Sequence, residues 1–325
     1  MAEKGFGHVS PNPMVGCIIV HNGEIIGSGY HSVYGGPHAE VNAINSVKEP
    51  GLLKNSIAYV SLEPCSHFGK TPPCADLLIQ YGIKKVVIGS LDPNPLVAGQ
   101  GIEKLKKAGI EVKFGILENE CKKLNKRFFT YINNKRPYII LKWAESSDGF
   151  MGSEEIKQIS GIAAQTRLHK WRSEEDAFLV GTNSLIQDNP QLNTRLWPGK
   201  NPTRIAVDFE LKSENKHLNF YDQSQKTIIL NGIKDGISHG IEYIKIPDCK
   251  VETLIEALYL CKISSVVIEG GSKLLNSFID AHLYDEIRVL KSKKRILNNG
   301  IAAPKINFAA SSSEDLIDDY LTIYE

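Results

Sequence analysis

The chain has 325 residues, 42% of them hydrophobic, and this length favours two globular domains over one. Its 38 basic and 37 acidic side chains give a formal charge of +1, which excludes a global field that would attract nucleic acid or an anionic membrane. No apolar run approaches the roughly 20 residues that cross a bilayer, and the first residues carry no signal-peptide core, so we expect a cytosolic protein.

The first part of the chain alternates strand and helix patterns. Apolar runs at 14–20 and 24–30 flank Asn22-Gly23, a dipeptide typical of a β-hairpin. Alternating strands and helices predict a largely parallel sheet with helices on both faces. The predicted helices span residues 39–47, 74–81, 101–108 and 118–132, and the further strands span 57–62, 84–90 and 111–116.

A polar stretch at residues 133–137 interrupts this pattern and ends in a proline. We therefore place one domain at 1–135 and a second at 136–325. The second region has enough strands, with at least three helices, for a separate α/β domain. Its predicted strands span residues 137–144, 176–182, 204–209, 226–231, 241–246, 264–271, 286–291 and 320–325.

The segment Gly35-Gly36-Pro37-His38-Ala39-Glu40 lies at a predicted helix start. Proline is favoured at the first helical position, so we expect Pro37 to begin the helix and His38 and Glu40 to lie in its opening turn. Side chains there tilt toward the N-terminus, and both can reach one object beyond the helix end. A metal ion that carries a water molecule is such an object, with His38 as ligand and Glu40 handling the proton of the water.

Two cysteines supply the further ligands that this interpretation needs. The six cysteines of the chain are too sparse for a disulfide scaffold, so a close pair indicates a metal site. Cys65 follows a strand, and Cys74 opens a helix, where the dipole favours the thiolate. One imidazole and two thiolates leave one tetrahedral position of Zn²⁺ open for a water whose pKa falls to about 7.

This pattern matches most of the zinc deaminase signature H-x-E…P-C-x-x-C. His38, Glu40, Pro64 and Cys65 fit, whereas eight residues instead of two separate Cys65 from Cys74. The insertion indicates either a subgroup of these enzymes or a different kind of protein.

Four segments resemble the deaminase domain of the bifunctional riboflavin-biosynthesis deaminase/reductase family: SPNPMVGCIIV, GPHAEVNAI, LEPCSHFGKTPPCADLLI and LDPNPLVAGQGIEKLKKAGIEV. In that family the second cysteine does follow the first after eight residues. The resemblance implies a cytidine-deaminase-like α/β/α domain in which zinc-bound hydroxide attacks the pyrimidine carbon bearing the exocyclic amine, while Glu40 transfers the proton. It also implies substrate contacts from Asn12, His67, Lys70, Thr71, Asp92 and Asn94. For Asp92 and Asn94, a plain turn explains the residues equally well.

A second motif, Ile268-Glu269-Gly270-Gly271, ends a predicted strand, and Ser272 begins a helix. Paired glycines let the backbone approach a phosphate, and the helix N-terminus supplies N–H donors. A tight strand-to-helix turn explains the same pattern. The fingerprint G-x-G-x-x-G is missing from it, so a standard Rossmann domain is not indicated.

Together with KWAESSDG and LVGTNSLIQDNPQLNTR, the segment VVIEGGSKLLNSFIDAHLYDEI resembles the reductase domain of the same family. The resemblance implies a dihydrofolate-reductase-like α/β fold and NADPH-dependent reduction of the substrate's ribosyl group. It assigns cofactor contacts to Ala144, Ser184, Asp188, Gly271, Ser272, Lys273, Leu274, Leu275, Asn276 and Ser277. It assigns substrate contacts to Arg172, Leu192, Arg195 and Glu269, and places Lys142 near the reacting sugar. Gln158 stands where the family has a tryptophan against the cofactor, and Ile156 replaces a small polar substrate contact.

Three alternatives are open at this point. A nucleic-acid editing deaminase needs a basic groove with stacking aromatic residues, and the basic clusters at 122–127 and 291–295 lack interleaved aromatics. A zinc-stabilised binding module would have no use for Glu40. A deaminase with a degenerate reductase domain is the third. We expect a small-molecule pyrimidine nucleotide as substrate, no binding of nucleic acid or membrane, and assembly as a homo-oligomer.

Overall fold

The computed structural model describes residues 1–66, 72–95, 97–153, 158–214 and 216–325. The chain divides into two compact units, Met1–Lys135 and Arg136–Glu325, and the division falls in the polar stretch that interrupts the strand and helix pattern. Each unit contains one sheet. Across these ranges, no helix combines the length and the apolar character that a bilayer span requires.

The first unit contains a five-stranded mixed sheet. Its elements are β1 (Gly16–His21), β2 (Glu24–Tyr30), α1 (Ala39–Asn45), β3 (Ile57–Leu62), α2 (Cys74–Gln80), β4 (Lys85–Ser90), α3 (Gln100–Lys107), β5 (Glu111–Phe114), α4 (Glu118–Leu124) and α5 (Lys126–Asn134). The strand order is β2-β1-β3-β4-β5, and only β3, β4 and β5 run parallel. The prediction of a largely parallel sheet is wrong here, because the hairpin at Asn22-Gly23 makes β2 antiparallel to β1, and β1 also runs against β3.

Helices lie on both faces of this sheet. Val60 and Ile88 of the central strands are buried in a core that includes Leu78 of α2. Gly89 faces the opposite side, where a β-carbon would lie 2.3 Å from the sulfur of Cys121 in α4. This close approach shows that α4 packs directly on the backbone of β4.

The predicted helix at 118–132 is two helices, because Asn125 breaks it. The side chain of Asn125 is buried and bonds the main chain of Met14, accepting from its N–H at 2.7 Å and donating to its carbonyl oxygen at 2.9 Å. The pair is 111 residues apart in sequence. These bonds tie α4 and α5 to the segment just before β1.

The second unit contains a ten-stranded sheet with a parallel centre. Its elements are β6 (Tyr138–Glu145), α6 (Ile162–Glu174), β7 (Ala177–Gly181), α7 (Thr182–Asp188), β8 (Thr203–Val207), β9 (Thr227–Asn231), β10 (Gly236–Ser238), β11 (Ile241–Lys245), α8 (Val251–Leu260), β12 (Ser265–Glu269), α9 (Ser272–Asp280), β13 (Glu286–Ser292), β14 (Ser312–Leu316) and β15 (Asp319–Tyr324). The order is β10-β11-β9-β8-β7-β12-β6-β13-β15-β14. Seven strands from β11 to β13 are parallel, and β10, β14 and β15 pair antiparallel at the edges.

The central strands of the second unit are buried on both faces. Ile139 and Leu141 of β6 belong to one core, whereas Tyr138 and Ile140 belong to another on the opposite face. Since β7, β12 and β6 are neighbours and run parallel, their carboxyl ends meet at one edge of the sheet. In open α/β sheets that edge is where ligands bind.

Candidate zinc centre and candidate reductase site

His38 lies at the mouth of α1, one position earlier than the helix proper. Its backbone is extended, with φ −72° and ψ 165°, and its carbonyl oxygen accepts the first intrahelical bond from the N–H of Asn42 at 3.1 Å. The helix therefore begins at Ala39, and the prediction that Pro37 is its first residue is wrong. The N-cap position nevertheless directs the imidazole beyond the helix end, as the metal interpretation requires.

His38, Cys65 and Cys74 converge on one point. The Nδ1 atom of His38 lies 3.3 Å from the sulfur of Cys74 and 3.6 Å from that of Cys65, and all three donor atoms lie within 4.8 Å of one another. With Zn–S bonds of about 2.3 Å and Zn–N bonds of about 2.0 Å, a tetrahedral site has N···S edges of about 3.5 Å. Both the donor set and its spacing therefore fit zinc. In the part of the chain that the structure describes, no other group of His, Cys, Asp or Glu side chains is arranged this way.

The pKa values of the two thiols are shifted so that one of them is a thiolate, the form that binds a metal. Hydrogen bonds from the Cys74 thiol and from His38, together with the main-chain N–H of Cys74 at 3.3 Å, lower the pKa of Cys65 to about 4, against the effect of burial. Cys74 opens α2, as the sequence predicts, and it retains its proton because the neighbouring Cys65 thiolate raises its pKa. A divalent cation would replace this shared proton.

Glu40 lies beside the same sulfur atoms. It is 3% exposed and interacts with the Cys74 thiol through a hydrogen bond. Burial, followed by the negative charge of Cys65, raises the pKa of Glu40 to about 7. A carboxyl group with this pKa is present in both its protonated and its ionised form near neutral pH, which suits a general acid and base.

His31 connects the predicted substrate residue Asn12 to the metal ligand, a role that the sequence does not reveal. The amide nitrogen of Asn12 lies 3.2 Å from Nε2 of His31, and Nδ1 of His31 lies 3.0 Å from the carbonyl oxygen of Pro37. The His31 ring also packs edge-on against His38, with ring centroids 5.5 Å apart. Its position directly after β2 and seven residues before His38 is the only sequence signal.

Asp92 and Asn94 lie in a turn after β4. The carboxylate of Asp92 accepts from the N–H of Asn94 at 2.8 Å, and the carbonyl oxygen of Asn94 accepts from Val97 at 2.8 Å and from Ala98 at 2.9 Å. These hydrogen bonds form the turn that the sequence predicts. A substrate contact from Asp92 or Asn94 stays a prediction. The predicted substrate residues His67, Lys70 and Thr71 lie outside the described residues, as does Ile156.

In the second unit, Glu269 bridges two cations at the sheet edge. It ends β12 opposite Lys142 of β6, and its carboxylate lies 2.8 Å from Nζ of Lys142 and 3.2 Å from Nη2 of Arg172 in α6. The side chains are only 12%, 9% and 9% exposed. Burial acts to raise the pKa of Glu269, but the two cations outweigh it and lower the pKa to about 2.

Asn193 joins Arg172 to Arg195. Its carbonyl oxygen accepts from Nη1 of Arg172 at 3.3 Å, and its side-chain oxygen accepts from Nη1 of Arg195 at 3.0 Å. Leu192 precedes it with φ +49° and is 2% exposed, so its side chain lies in the core, and its carbonyl oxygen accepts from the side-chain amide of Gln225 at 3.1 Å. The buried His169 belongs to the same group, and burial and the two arginines lower its pKa to about 4. Neither Asn193 nor His169 was predicted.

Two of the predicted cofactor residues, Ser184 and Gly271, lie close together beyond the carboxyl ends of β7 and β12. Gly270 has φ +155°, and a β-carbon there would lie 3.4 Å from Oγ of Ser184 in α7. Gly271 caps α9, and the N–H groups at a helix N-terminus are suited to bind a phosphate. This glycine cradle, with a hydroxyl beside it, fits the phosphates of NADPH.

The other predicted cofactor residues differ in position. Leu275 is fully buried in the core, so its side chain does not face a cofactor. Asn276 donates to Oγ of Ser272 at 3.0 Å, and Ser277 donates to the carbonyl oxygen of Leu274 at 2.7 Å. Of the rest, Ala144 is partly buried, Lys273 and Asp188 are exposed, and Gln158 is exposed.

Comparison with known proteins defines the two halves. Residues 1–90 match the family model for the cytidine and deoxycytidylate deaminase zinc-binding region, and residues 137–292 match the RibD C-terminal domain. The fold and the metal centre therefore define a zinc-dependent deaminase of the cytidine deaminase class joined to a reductase-type α/β domain.

The relatives are similar over almost their entire length. The riboflavin biosynthesis protein RibD of Actinobacillus pleuropneumoniae is 37% identical over 99% of this chain and 93% of its own, and that of Aquifex aeolicus is 39% identical over 93% and 86%. The crystal structure of a diaminohydroxyphosphoribosylaminopyrimidine deaminase/5-amino-6-(5-phosphoribosylamino)uracil reductase from Thermotoga maritima has a TM-score of 0.91, with 37% identity over 99% of this chain and 94% of that one. The chain belongs to the RibD family. The predicted family, the two fold classes and the cofactors zinc and NADPH are confirmed.

Proposed function

We propose that residues 1–135 deaminate 2,5-diamino-6-ribosylamino-4(3H)-pyrimidinone 5′-phosphate and that residues 136–325 reduce the ribosyl group of the product with NADPH. The final product is 5-amino-6-ribitylamino-uracil 5′-phosphate. The observation that carries this proposal is the convergence of His38, Cys65 and Cys74 beside the buried Glu40. The deaminase/reductase from Thermotoga maritima, similar over the full length, supports both activities.

In the deamination, His38, Cys65 and Cys74 hold the metal. When bound, Zn²⁺ supplies an acidified water as the nucleophile. Glu40 would carry one proton of the attacking water to the ring nitrogen, and then the proton of the newly added hydroxyl group to the exocyclic amine, which leaves as ammonia while the carbon keeps the oxygen as a carbonyl group.

Asn12 orients the pyrimidine. Its amide nitrogen donates to Nε2 of His31, so Nδ1 of His31 carries the hydrogen that is donated to the carbonyl oxygen of Pro37. This arrangement fixes the amide and leaves the side-chain oxygen of Asn12 to accept an N–H of the substrate. Lys70 is assigned to the phosphate, and His67, Thr71, Asp92 and Asn94 to the ring and ribose.

In the reduction, the arginines Arg172 and Arg195 bind the ribose phosphate as forked donors. NADPH supplies the hydride. Its phosphates are assigned to the cradle formed by Ser184, Gly270 and Gly271. The reaction breaks the bond between the sugar ring oxygen and the sugar carbon that carries the ring amine, adds the hydride to that carbon and adds a proton to the oxygen. We assign this proton to Lys142, whose ammonium group Glu269 holds at 2.8 Å.

The variant Glu40→Gln tests the proposal. It keeps the shape and the three ligands but removes the base, so we expect ammonia release to fall by on the order of 10²-fold or more while zinc stays bound. The exposed Glu111 of β5, which pairs with Lys85 of β4, provides the matched control Glu111→Gln. Retained turnover in Glu40→Gln would refute the role of Glu40.

A degenerate reductase domain is tested by titrating the full chain with NADPH and following fluorescence. We expect saturable binding, and its absence would favour degeneracy.

The cellular setting follows from the same chemistry. Thiolate ligands need a reducing compartment, and all six cysteines are free, so we place the enzyme in the cytosol. Assembly as a homo-oligomer stays a prediction that sedimentation will test.

A further inference from the structure

The buried carboxylate of Glu63 accepts hydrogen bonds from main-chain N–H groups that lie 29 to 39 residues further along the chain. Glu63 follows β3 directly, lies two residues before Cys65 and is 5% exposed. Its four contacts all run to one stretch of chain. The carboxylate accepts from the N–H groups of Asp92 at 3.4 Å, Gly99 at 2.9 Å, Gly101 at 2.9 Å and Ile102 at 3.3 Å.

Three of these bonds, to the cap residue Gly99 and to Gly101 and Ile102, satisfy donors at the N-terminus of α3. The N–H groups of a first helical turn lack intrahelical acceptors and carry the positive end of the helix dipole, so a buried carboxylate there is strongly held. The approach is close because residue 101 is glycine: a β-carbon on Gly101 would lie 2.2 Å from the carbonyl oxygen of Pro64. The main-chain N–H of Glu63 also donates to Ser90 at 3.0 Å.

Glu63 thereby joins two parts of the candidate deaminase site. On one side is the segment that leads to Cys65, a donor for zinc. On the other are the proposed substrate contacts Asp92 and Asn94 and, further along the chain, the start of α3. The Glu63 carboxylate connects these two parts, because it accepts hydrogen bonds from the main chain of Asp92 and from Gly99 and Gly101 at the start of α3.

We propose that Glu63 is a positioning residue for deamination, which fixes Asp92 and the start of α3 relative to the metal ligands and so sets the affinity for the pyrimidine nucleotide. This inference rests on the proposed function. Glu63 acts through Asp92 and Asn94, so its loss affects substrate binding more than the chemical step.

The test is Glu63→Gln in the full chain. One oxygen becomes an NH₂ group that faces main-chain donors, so at least two of the four bonds are lost. We expect KM for 2,5-diamino-6-ribosylamino-4(3H)-pyrimidinone 5′-phosphate to rise on the order of tenfold, the equivalent of about one charge-assisted hydrogen bond, with a much smaller change in kcat. Zinc content and reductase activity should equal those of the control Glu111→Gln.

Hydrogen exchange gives a second readout, since the amides of Gly99 and Gly101 should exchange faster in Glu63→Gln. If Glu63→Gln does not fold, Glu63→Asp retains the charge on a shorter arm, and an elevated KM in that variant supports the inference. An unchanged KM, or a loss of zinc with equal losses in kcat and kcat/KM, overturns it. Wild-type protein without ammonia release would overturn the proposed function instead.

Discussion

Glu269 places a buried negative charge between two buried cations, Lys142 and Arg172. Since the folded pKa is about 2 and the ordinary value is 4.5, ionised Glu269 contributes stability that is present above about pH 4.5 and is lost as the pH falls toward 2. The shift corresponds to about 3 kcal/mol. We therefore expect the free energy of unfolding of the second unit to fall by about that amount between pH 6 and pH 2.5, beyond the contribution of other carboxylates.

The measurement is urea unfolding followed by tryptophan fluorescence. Trp143, Trp171 and Trp197 are the three tryptophans of the chain, and all lie in the second unit. The variant Glu269→Gln should be less stable at pH 6, by about 3 to 5 kcal/mol because it leaves two buried cations unpaired, and should show a shallower pH dependence. Equal pH dependence in both proteins would contradict this account.

A site residue could be predicted where a short sequence motif contains the residue types that the chemistry requires. The metal centre followed from a few short motifs, because a zinc site needs particular residue types in strand and helix ends. Glu63, His31 and Asn193 were not predictable in this way. Their roles arise from hydrogen bonds to main-chain or side-chain groups brought close by folding, and a glutamate after a strand carries no sign of the N–H groups 29 to 39 residues away that it binds.

The helix that carries His38 and Glu40 rests on β2 through glycine. A β-carbon on Gly29 would lie 2.4 Å from the nitrogen of Ala43 and 2.6 Å from the carbonyl carbon of Asn42, both main-chain atoms of α1. Main-chain atoms cannot move away by a change of rotamer. The methyl group of Gly29→Ala must therefore displace α1. We expect a destabilisation of about 1–3 kcal/mol, with reduced zinc content and reduced ammonia release.

The control for Gly29→Ala is Gly51→Ala, since a β-carbon at Gly51 would meet no atom within 4 Å. Metal analysis, thermal unfolding and ammonia release should leave this control close to wild type. Wild-type zinc content and activity in Gly29→Ala would show that the position of α1 does not set the metal geometry.

The elements themselves were predicted well where burial enforces a pattern. The central strands of the second unit read as apolar runs because both faces are covered. The edge strands β10 and β14 were missed, because almost all their residues are exposed and their sequences GIS and SSEDL lack a strand pattern. The break at Asn125 was missed for another reason: helical periodicity continues through it, and its partner Met14 lies 111 residues away.

Each half of the chain has its own hydrophobic core and its own candidate site. The core around Val60 and Leu78 lies in the first unit, and the cores around Leu141 and Ile140 lie in the second. The zinc donors all belong to residues 1–135, and the bridged pair Lys142 and Glu269 belongs to residues 136–325. We therefore expect each reaction to depend on side chains of one unit, so that a defect in one site leaves the other chemistry intact.

This separation is tested by mixing two variants. Glu40→Gln should reduce the deaminated nucleotide but not form it, whereas Lys142→Met should form it but not reduce it. Neither alone should oxidise NADPH when given the diaminopyrimidine nucleotide, and the equimolar mixture should do so after a lag in which the free intermediate accumulates. The partial reactions serve as controls: ammonia release by Lys142→Met, and NADPH oxidation by Glu40→Gln on deaminated nucleotide. If both partial reactions proceed but the mixture does not oxidise NADPH, then the intermediate is not released to solution, and the two-step sequence requires both intact sites in one chain.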